Sequence, residues 1–343
     1  MKKYVDYIVK QATQLLSIDS PSGFTEEVTN YLMKEFADIG YESYKTVKGG
    51  VMAEIPGKKK ADAVMLDAHV DTLGAMVAEI KSNGRLRLAA VGGLNANNVE
   101  TEICRIHTKS GQIYEGTCQL INASTHVNGE YSNIKRSFDT VEIVIDEKTS
   151  SKEETRKLGI SNGDYVCFSP ATRITESGYI KSRFLDDKLS AAILLGYAKY
   201  LKDEKIEPER TVFQHFTVFE EVGHGASASV PENVKEILSV DMGCVGEGLE
   251  CTEHEVSICV KDSGGPYHYD IVKALIGAAE KAGIGYAADV YPFYASDVDA
   301  TLKAGFDFRH GLIGPGVYAS HGYERSHMDG VENTLKLLIE YLK

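Results

Sequence analysis

Two adjacent carboxylates, Glu220 and Glu221, stand between a run of apolar and β-branched residues, 211–219, and a turn that Gly223, Gly225 and Ala226 make tight. Along a regular strand they would face opposite sides; where the pleat breaks at the last residues, both can enter one crevice. Other acids and histidines occupy comparable places. His69-Val70-Asp71 follows the apolar run 63–68, Asp186-Asp187 precedes a helical stripe of Leu189, Ala192, Ile193, Leu195 and Ala198, Asp241 ends the run 236–241, and His321 and His327 precede the last helix. Residues two apart on extended chain share a face, so His69 can ligate a metal while Asp71 holds its ring or lies beneath it. Two imidazoles and three carboxylates from this set, one carboxylate being shared, make two mixed N/O sites suited to Zn²⁺, Co²⁺ or Mn²⁺, each with a position left for water.

The elements that must position these residues follow an α/β pattern. Val5, Ile8, Val9, Ala12, Leu15 and Leu16 keep a helical period that Ser20-Pro21-Ser22-Gly23 stops. Thr25 is expected to cap a second helix, with Glu26 and Glu27 in its positive first turn and Val28, Tyr31, Leu32, Phe36 and Ile39 on its apolar face. From 73 to 169 the character changes: β-type runs at 86–91, 102–108, 119–121, 141–145 and 165–168 alternate with Gly, Asn and Ser turns around one helix, 152–158. That pattern predicts a small all-β barrel inserted into the α/β domain. The α/β pattern resumes at Tyr179, with a strand at 256–260, a helix at 269–282, a loop carrying Tyr294 to Asp297, and a last helix at 330–342. Open α/β sheets bind ligands outside the carboxyl ends of their strands, where the acids and histidines lie.

Composition narrows the function classes. A formal charge of −13 over 343 residues argues against nucleic acid and against an anionic membrane surface as partners. The six cysteines form no CxxC, so neither a zinc ribbon nor a disulfide framework is indicated, and buried thiols with a cytoplasmic location are expected. The N-terminal segment lacks a signal-peptide apolar region, and no stretch approaches the length that crosses a bilayer.

Read in order, PSGFTEEV at 21–28, DAHVDTLG at 67–74, KLGISNGDYVCFSP at 157–170, FLDDK at 184–188, FEEVGHGAS at 219–227 and SVDMG at 239–243 give a pattern that resembles the co-catalytic dinuclear metal aminopeptidases. These include glutamyl aminopeptidases, deblocking aminopeptidases and the tetrahedral (TET) peptidases. The likeness covers nearly the whole chain. It implies an α/β zinc-peptidase-like three-layer catalytic domain with a mostly parallel central sheet, residues 1–72 and 170–343, and a PDZ-like β-barrel dimerisation domain, 73–169. It also implies a homo-oligomer, from a dimer up to a tetrahedral dodecamer, acting on short peptides with a free N-terminus. Carried over by position, it makes His69 and Asp241 ligands of one divalent cation, Asp186 the bridge, and Glu221 with His321 or His327 ligands of the second. Zn²⁺ or Co²⁺ is expected, with Mn²⁺ as an alternative, two ions per subunit. His321 is preferred because His327 lies nearer the last helix. Glu220 would be the general base and Asp71 the residue that orients His69, and the Asp186-Asp187 peptide can be cis.

The chain departs from the family pattern at Thr72 and Lys188, where Glu and Arg are usual, and in the loop reading His224-Gly225, where Arg is common. Lys188, Lys261 and Arg325 are candidates for a pocket that takes acidic side chains. Two other readings fit the paired acids less fully. A glycoside hydrolase would leave the histidines and Asp241 without a role and has no Trp to stack on sugars. A non-enzymatic oligomeric peptide-binding scaffold would need a dead metal site.

Overall fold

The strand Lys59–His69 is exposed over its first four residues and buried over its last seven, Ala63 to His69. Val64, Met65, Leu66 and Ala68 fill both of its faces, as a strand covered on two sides requires. In a computed structural model describing residues 1–343 it lies near the middle of a 12-stranded sheet. Arg210–Thr217 runs parallel to it on one side and Val234–Val240 on the other, and Arg309–Tyr318 is parallel to the latter. The flanks are antiparallel: Val51–Ile55 and Ser43–Lys45 beyond one edge, Glu324–His327, Tyr179–Ser182 and Arg173–Ile174 beyond the other. Each large aliphatic side chain sealed in the central strands, such as Leu66, Ile237 or Leu312, contributes about 1.5–3 kcal/mol by leaving water.

Strand register is what places the chemistry. Thr217 pairs with His69, and Ser239 pairs with Asp67. Carried two residues further, the second register sets Asp241 level with His69, while the Glu pair follows three residues beyond Thr217. All three therefore reach the same carboxyl end of the sheet.

The helix Leu185–Glu204 packs against the central strands and against the helices Lys2–Ser17, Glu26–Ile39 and Met328–Tyr341. Every residue from Leu185 to Ala198 is buried, which explains why, Ser190 apart, the stretch 189–198 carries no polar face and is not striped. Gly196 permits the close approach of Lys2–Ser17, because a Cβ there would lie 2.3 Å from Ile8 Cγ1. Gly314 does the same at the site's edge: a Cβ would lie 1.7 Å from the Asp241 carbonyl oxygen.

The chain divides into two units, 1–71 with 171–343 and 72–170. In the second, six strands close into a barrel in the order Gly74–Ile80, Leu86–Val91, Val141–Ile145, Ile113–Leu120, Ile103–His107, Tyr165–Phe168.

Some local expectations are corrected. Gly74–Ile80 is a strand that the sequence reading left out, because its Gly and two Ala lack β-character and its burial does not alternate cleanly. The run expected at 119–121 is the end of Ile113–Leu120. Thr25 occupies the N-cap of its helix, but its side chain makes no capping bond. The segment after Tyr294 includes a helix, Asp297–Lys303, opened by a Ser296/Asp299 capping box. Asp186 and Asp187 are non-helical and kink the opening of Leu185–Glu204, and Phe184 before them lies in the left-handed region at φ 68°. The Asp186–Asp187 peptide is cis.

Candidate metal centre

Asp186 stands between two imidazoles. Its Oδ1 lies 3.0 Å from His69 Nε2 and its Oδ2 lies 3.5 Å from His321 Nε2. The same His321 nitrogen is 3.5 Å from Glu221 Oε2, and Glu220 Oε2 is 3.7 Å from His69 Nε2. Ligand atoms of His69, Asp186 and Glu221 lie within 4.8 Å of one another, and so do those of His69, Asp187 and Asp241. Thus His69, Asp186, Glu220, Glu221, Asp241 and His321, scattered over 253 positions of sequence, meet at one place. His327 does not join them. It caps the last helix through Nδ1, which accepts from the Asp329 N–H at 3.0 Å, and donates from Nε2 to the Ser177 carbonyl at 2.7 Å.

The strand Arg210–Thr217 ends three residues before Glu220, and Glu220–Val222 forms a single 3₁₀ turn. That turn, not a broken pleat, brings both acids to one crevice. It is held by Asp71, whose carboxylate accepts the N–H groups of Glu220 at 3.1 Å and Glu221 at 3.3 Å, and the Ser22 hydroxyl at 2.6 Å. The His69 ring meets Asp71 mainly through the backbone: Nδ1 is 2.9 Å from the Asp71 carbonyl oxygen and 3.6 Å from its carboxylate. Asp297 anchors the following loop, accepting from the Ala226 N–H at 2.7 Å and from the Thr217 hydroxyl. Lys48 closes it by donating to the carbonyls of His224 and Gly225 and to Ser227 Oγ.

Glu324 is another anchor that sequence reasoning did not single out. Fully buried, it accepts the Asp186 N–H at 3.0 Å and the His321 N–H at 2.9 Å, so one carboxylate fixes the backbones of two residues of the cluster. His321 sits at φ 62°, a conformation that needs such support. Only the placement of Glu324, three residues after His321, hinted at this. Exchanging it for Gln turns one acceptor into a donor facing an N–H. Metal affinity is then expected to fall about 10–100-fold, as for other groups that orient ligands; competition with a chromogenic chelator would measure it, and unchanged affinity would deny Glu324 that part.

The electrostatics point to missing positive charge. Burial, with repulsion from Asp241 for Glu220 and from Asp186 for Glu221, pushes both Glu carboxyls well above the usual carboxylate range. Burial carries Asp241 up to about 7 and Glu324 up to about 8. Burial would raise Asp186 too, but the hydrogen bonds from His321 and His69 outweigh it and hold the group low. The hydrogen bond to Asp186 lifts His321 to about 10. Asp187 accepts the His69 N–H at 3.2 Å through Oδ2, while its buried Oδ1 has no hydrogen-bond partner. Five carboxylates around two imidazoles, with an orphaned buried oxygen, are a donor set that fits divalent cations of the borderline class.

A cavity of about 400 Å³ opens onto this cluster, lined by Asp186, Glu220, Glu221 and Asp241 and by Met242, Cys244, Phe293, Tyr294, Ala295 and His321 among others. No Lys or Arg lines it. The three cations considered from sequence are engaged elsewhere. Lys188 is buried with Nζ on the carbonyls of Leu15 and Ile18, Lys261 donates to the Asp262 carbonyl, and Arg325 pairs with Glu253 while stacking over Tyr179.

The family model of the M42 glutamyl aminopeptidases matches residues 49–337. The chain belongs to that family. Membership makes it a hydrolase of the peptidase class. The peptidase is 45% identical over 332 residues to YhfE of Bacillus subtilis (strain 168), an inferred aminopeptidase, covering 96% of this chain and 95% of the relative. Among solved structures, it matches a TET aminopeptidase from a marine sediment archaeon (Thaumarchaeota archaeon SCGC AB-539-E09) at a TM-score of 0.88 and 20% identity, over 98% and 96% of the two chains. The TET1 peptidase of Pyrococcus horikoshii, which can assemble into a tetrahedron or a large octahedral shell, matches at 0.85 and 23%, over 98% and 99%. These likenesses show that the peptidase has the TET aminopeptidase fold. No helix of the chain is long and apolar enough to cross a membrane.

Proposed function

We propose that this peptidase is a metal-dependent aminopeptidase holding two divalent cations, Zn²⁺ or Co²⁺ with Mn²⁺ as the alternative, that releases the N-terminal residue of short peptides. The observation that carries the reading is Asp186, which offers one oxygen toward His69 and the other toward His321. His69 and Asp241 would hold one cation, Glu221 and His321 the other, with Asp186 shared. When bound, the cations supply Lewis acidity, lowering the pKa of a water and polarising the scissile carbonyl. Glu220 then acts as the general base, taking the water's proton at its carboxylate and returning it to the departing amine. Asp71 keeps Glu220 in place through its backbone N–H and supports the His69 ring through its own carbonyl. A metal-free glycosidase would leave these imidazoles without work.

The acid-lined cavity favours the amine end of a peptide and disfavours its carboxylate end. Metal-loaded protein is therefore expected to cleave a peptide with a free N-terminus at least ~10²-fold faster than its N-acetylated form, measured by product chromatography. Equal cleavage of the two would make it an endopeptidase and sink the reading.

We assign catalysis to residues 1–72 with 170–343 and dimerisation to the barrel, 73–169. The division of the chain at 71/72 and 170/171 supports this, as do the exposed Ile103, Ile113 and Val127 on barrel segments. The tetrahedral assembly of the Pyrococcus horikoshii relative favours a homo-oligomer built on such dimers. The acidic composition and the cysteines, all free and five of the six buried, favour a cytoplasmic location.

A further inference from the structure

Phe293 is 95% exposed, yet it forms part of the wall of the cavity that opens onto the carboxylate and imidazole cluster. The ring stands open to water at the cavity mouth, where a side chain entering the cavity can cover it. Around it the wall is neutral: Met242, Cys244, Tyr294, Ala295 and Ser320. Tyr294, also in the lining, donates its hydroxyl to the Met242 carbonyl, 3.2 Å away. The only charged groups in the lining are Asp186, Glu220, Glu221, Asp241 and, when protonated, His321, all of which the proposed chemistry already employs. No cation remains to meet an acidic side chain, and no further acid remains to meet a basic one.

We propose, resting on the aminopeptidase reading, that the cavity beside the metal centre takes an uncharged apolar N-terminal side chain such as that of Leu or Met, with Phe293 as the residue that covers it. The peptidase thereby departs from the preference its family's name carries. An unpaired glutamate carboxylate would lose its water against this wall with no cation to meet it, which disfavours it strongly. A Lys side chain would place its ammonium without a dedicated partner.

The test is a panel of Leu-, Met-, Ala-, Glu- and Lys-nitroanilides on metal-loaded protein, together with calorimetric binding of leucine amide and glutamic acid α-amide to the same protein. The Leu substrate is expected to exceed the Glu substrate in kcat/KM by about 100-fold or more, and leucine amide to bind correspondingly tighter. Phe293→Ala should lower the Leu/Ala ratio of kcat/KM by about 10-fold. Phe293→Arg, equally exposed and so equally compatible with folding, should raise the Glu/Leu ratio at least ~10-fold by supplying a cation. Glu cleaved as fast as Leu, or a Leu/Ala ratio untouched by Phe293→Ala, overturns the inference and leaves the aminopeptidase reading standing. Failure to cleave any member of the panel overturns both.

Discussion

Replacing Glu220 with Gln is expected to lower kcat by about 10²–10⁴-fold while the protein keeps both cations and nearly its full KM. The amide has the carboxylate's shape but cannot take a proton from water, so only the proton-transfer step is removed. Its backbone N–H still reaches Asp71, which keeps the 3₁₀ turn and the neighbouring Glu221 in place. Steady-state kinetics beside metal analysis of the purified variant decide the matter. If the variant turns over normally, the base lies elsewhere; if it loses metal along with activity, Glu220 is a ligand.

Removing the cations should have the second large effect, abolishing turnover and making stability fall with pH. Without them, Asp241 at about 7, Glu324 at about 8 and Asp297 at about 6 bind protons more tightly in the folded chain than the ordinary carboxylate range allows, chiefly because they are buried. The folded state then holds more protons than the unfolded one. The stability linked to those protons is present below the ordinary carboxylate range and lost as pH rises through the folded values. His321, raised to about 10 by its bond to Asp186, adds in the same direction above pH 6.5. Chelated protein is therefore expected to melt ~5 °C or more lower at pH 8 than at pH 5. Metal-loaded protein should not, because cations take the place of protons. Scanning calorimetry at the two pH values, with and without Zn²⁺, makes the comparison. A chelated protein whose Tm is flat or rises with pH, or that retains activity, would show that the acids are not built around cations.

Much of the site was legible because its members end strands. An apolar run that stops at His69 or Asp241 announces both an element and its exit, and the parallel register then does the rest. The two glutamates were legible as a pair, although the 3₁₀ turn that aims them was not, since three residues carry too little pattern. The second ring of contacts was hidden. Ser22 meets Asp71 across 49 positions, and Glu324 meets the Asp186 N–H across 138, with no local feature to mark either. Lys188, Lys261 and Arg325 looked alike as free cations, and only the fold shows each already engaged.

By itself the sequence determined the α/β class, the barrel that interrupts it, and the inventory of acids and imidazoles able to hold cations, because periodicity and strand-end polarity are written locally. The tertiary structure alone decided that His321 and not His327 faces Asp186, that Asp71 steadies the Glu pair, and that the cavity wall around Phe293 carries no cation. Those outcomes depend on distances between residues far apart in the chain, which are set when the sheet closes its register and the loops are pinned by buried carboxylates.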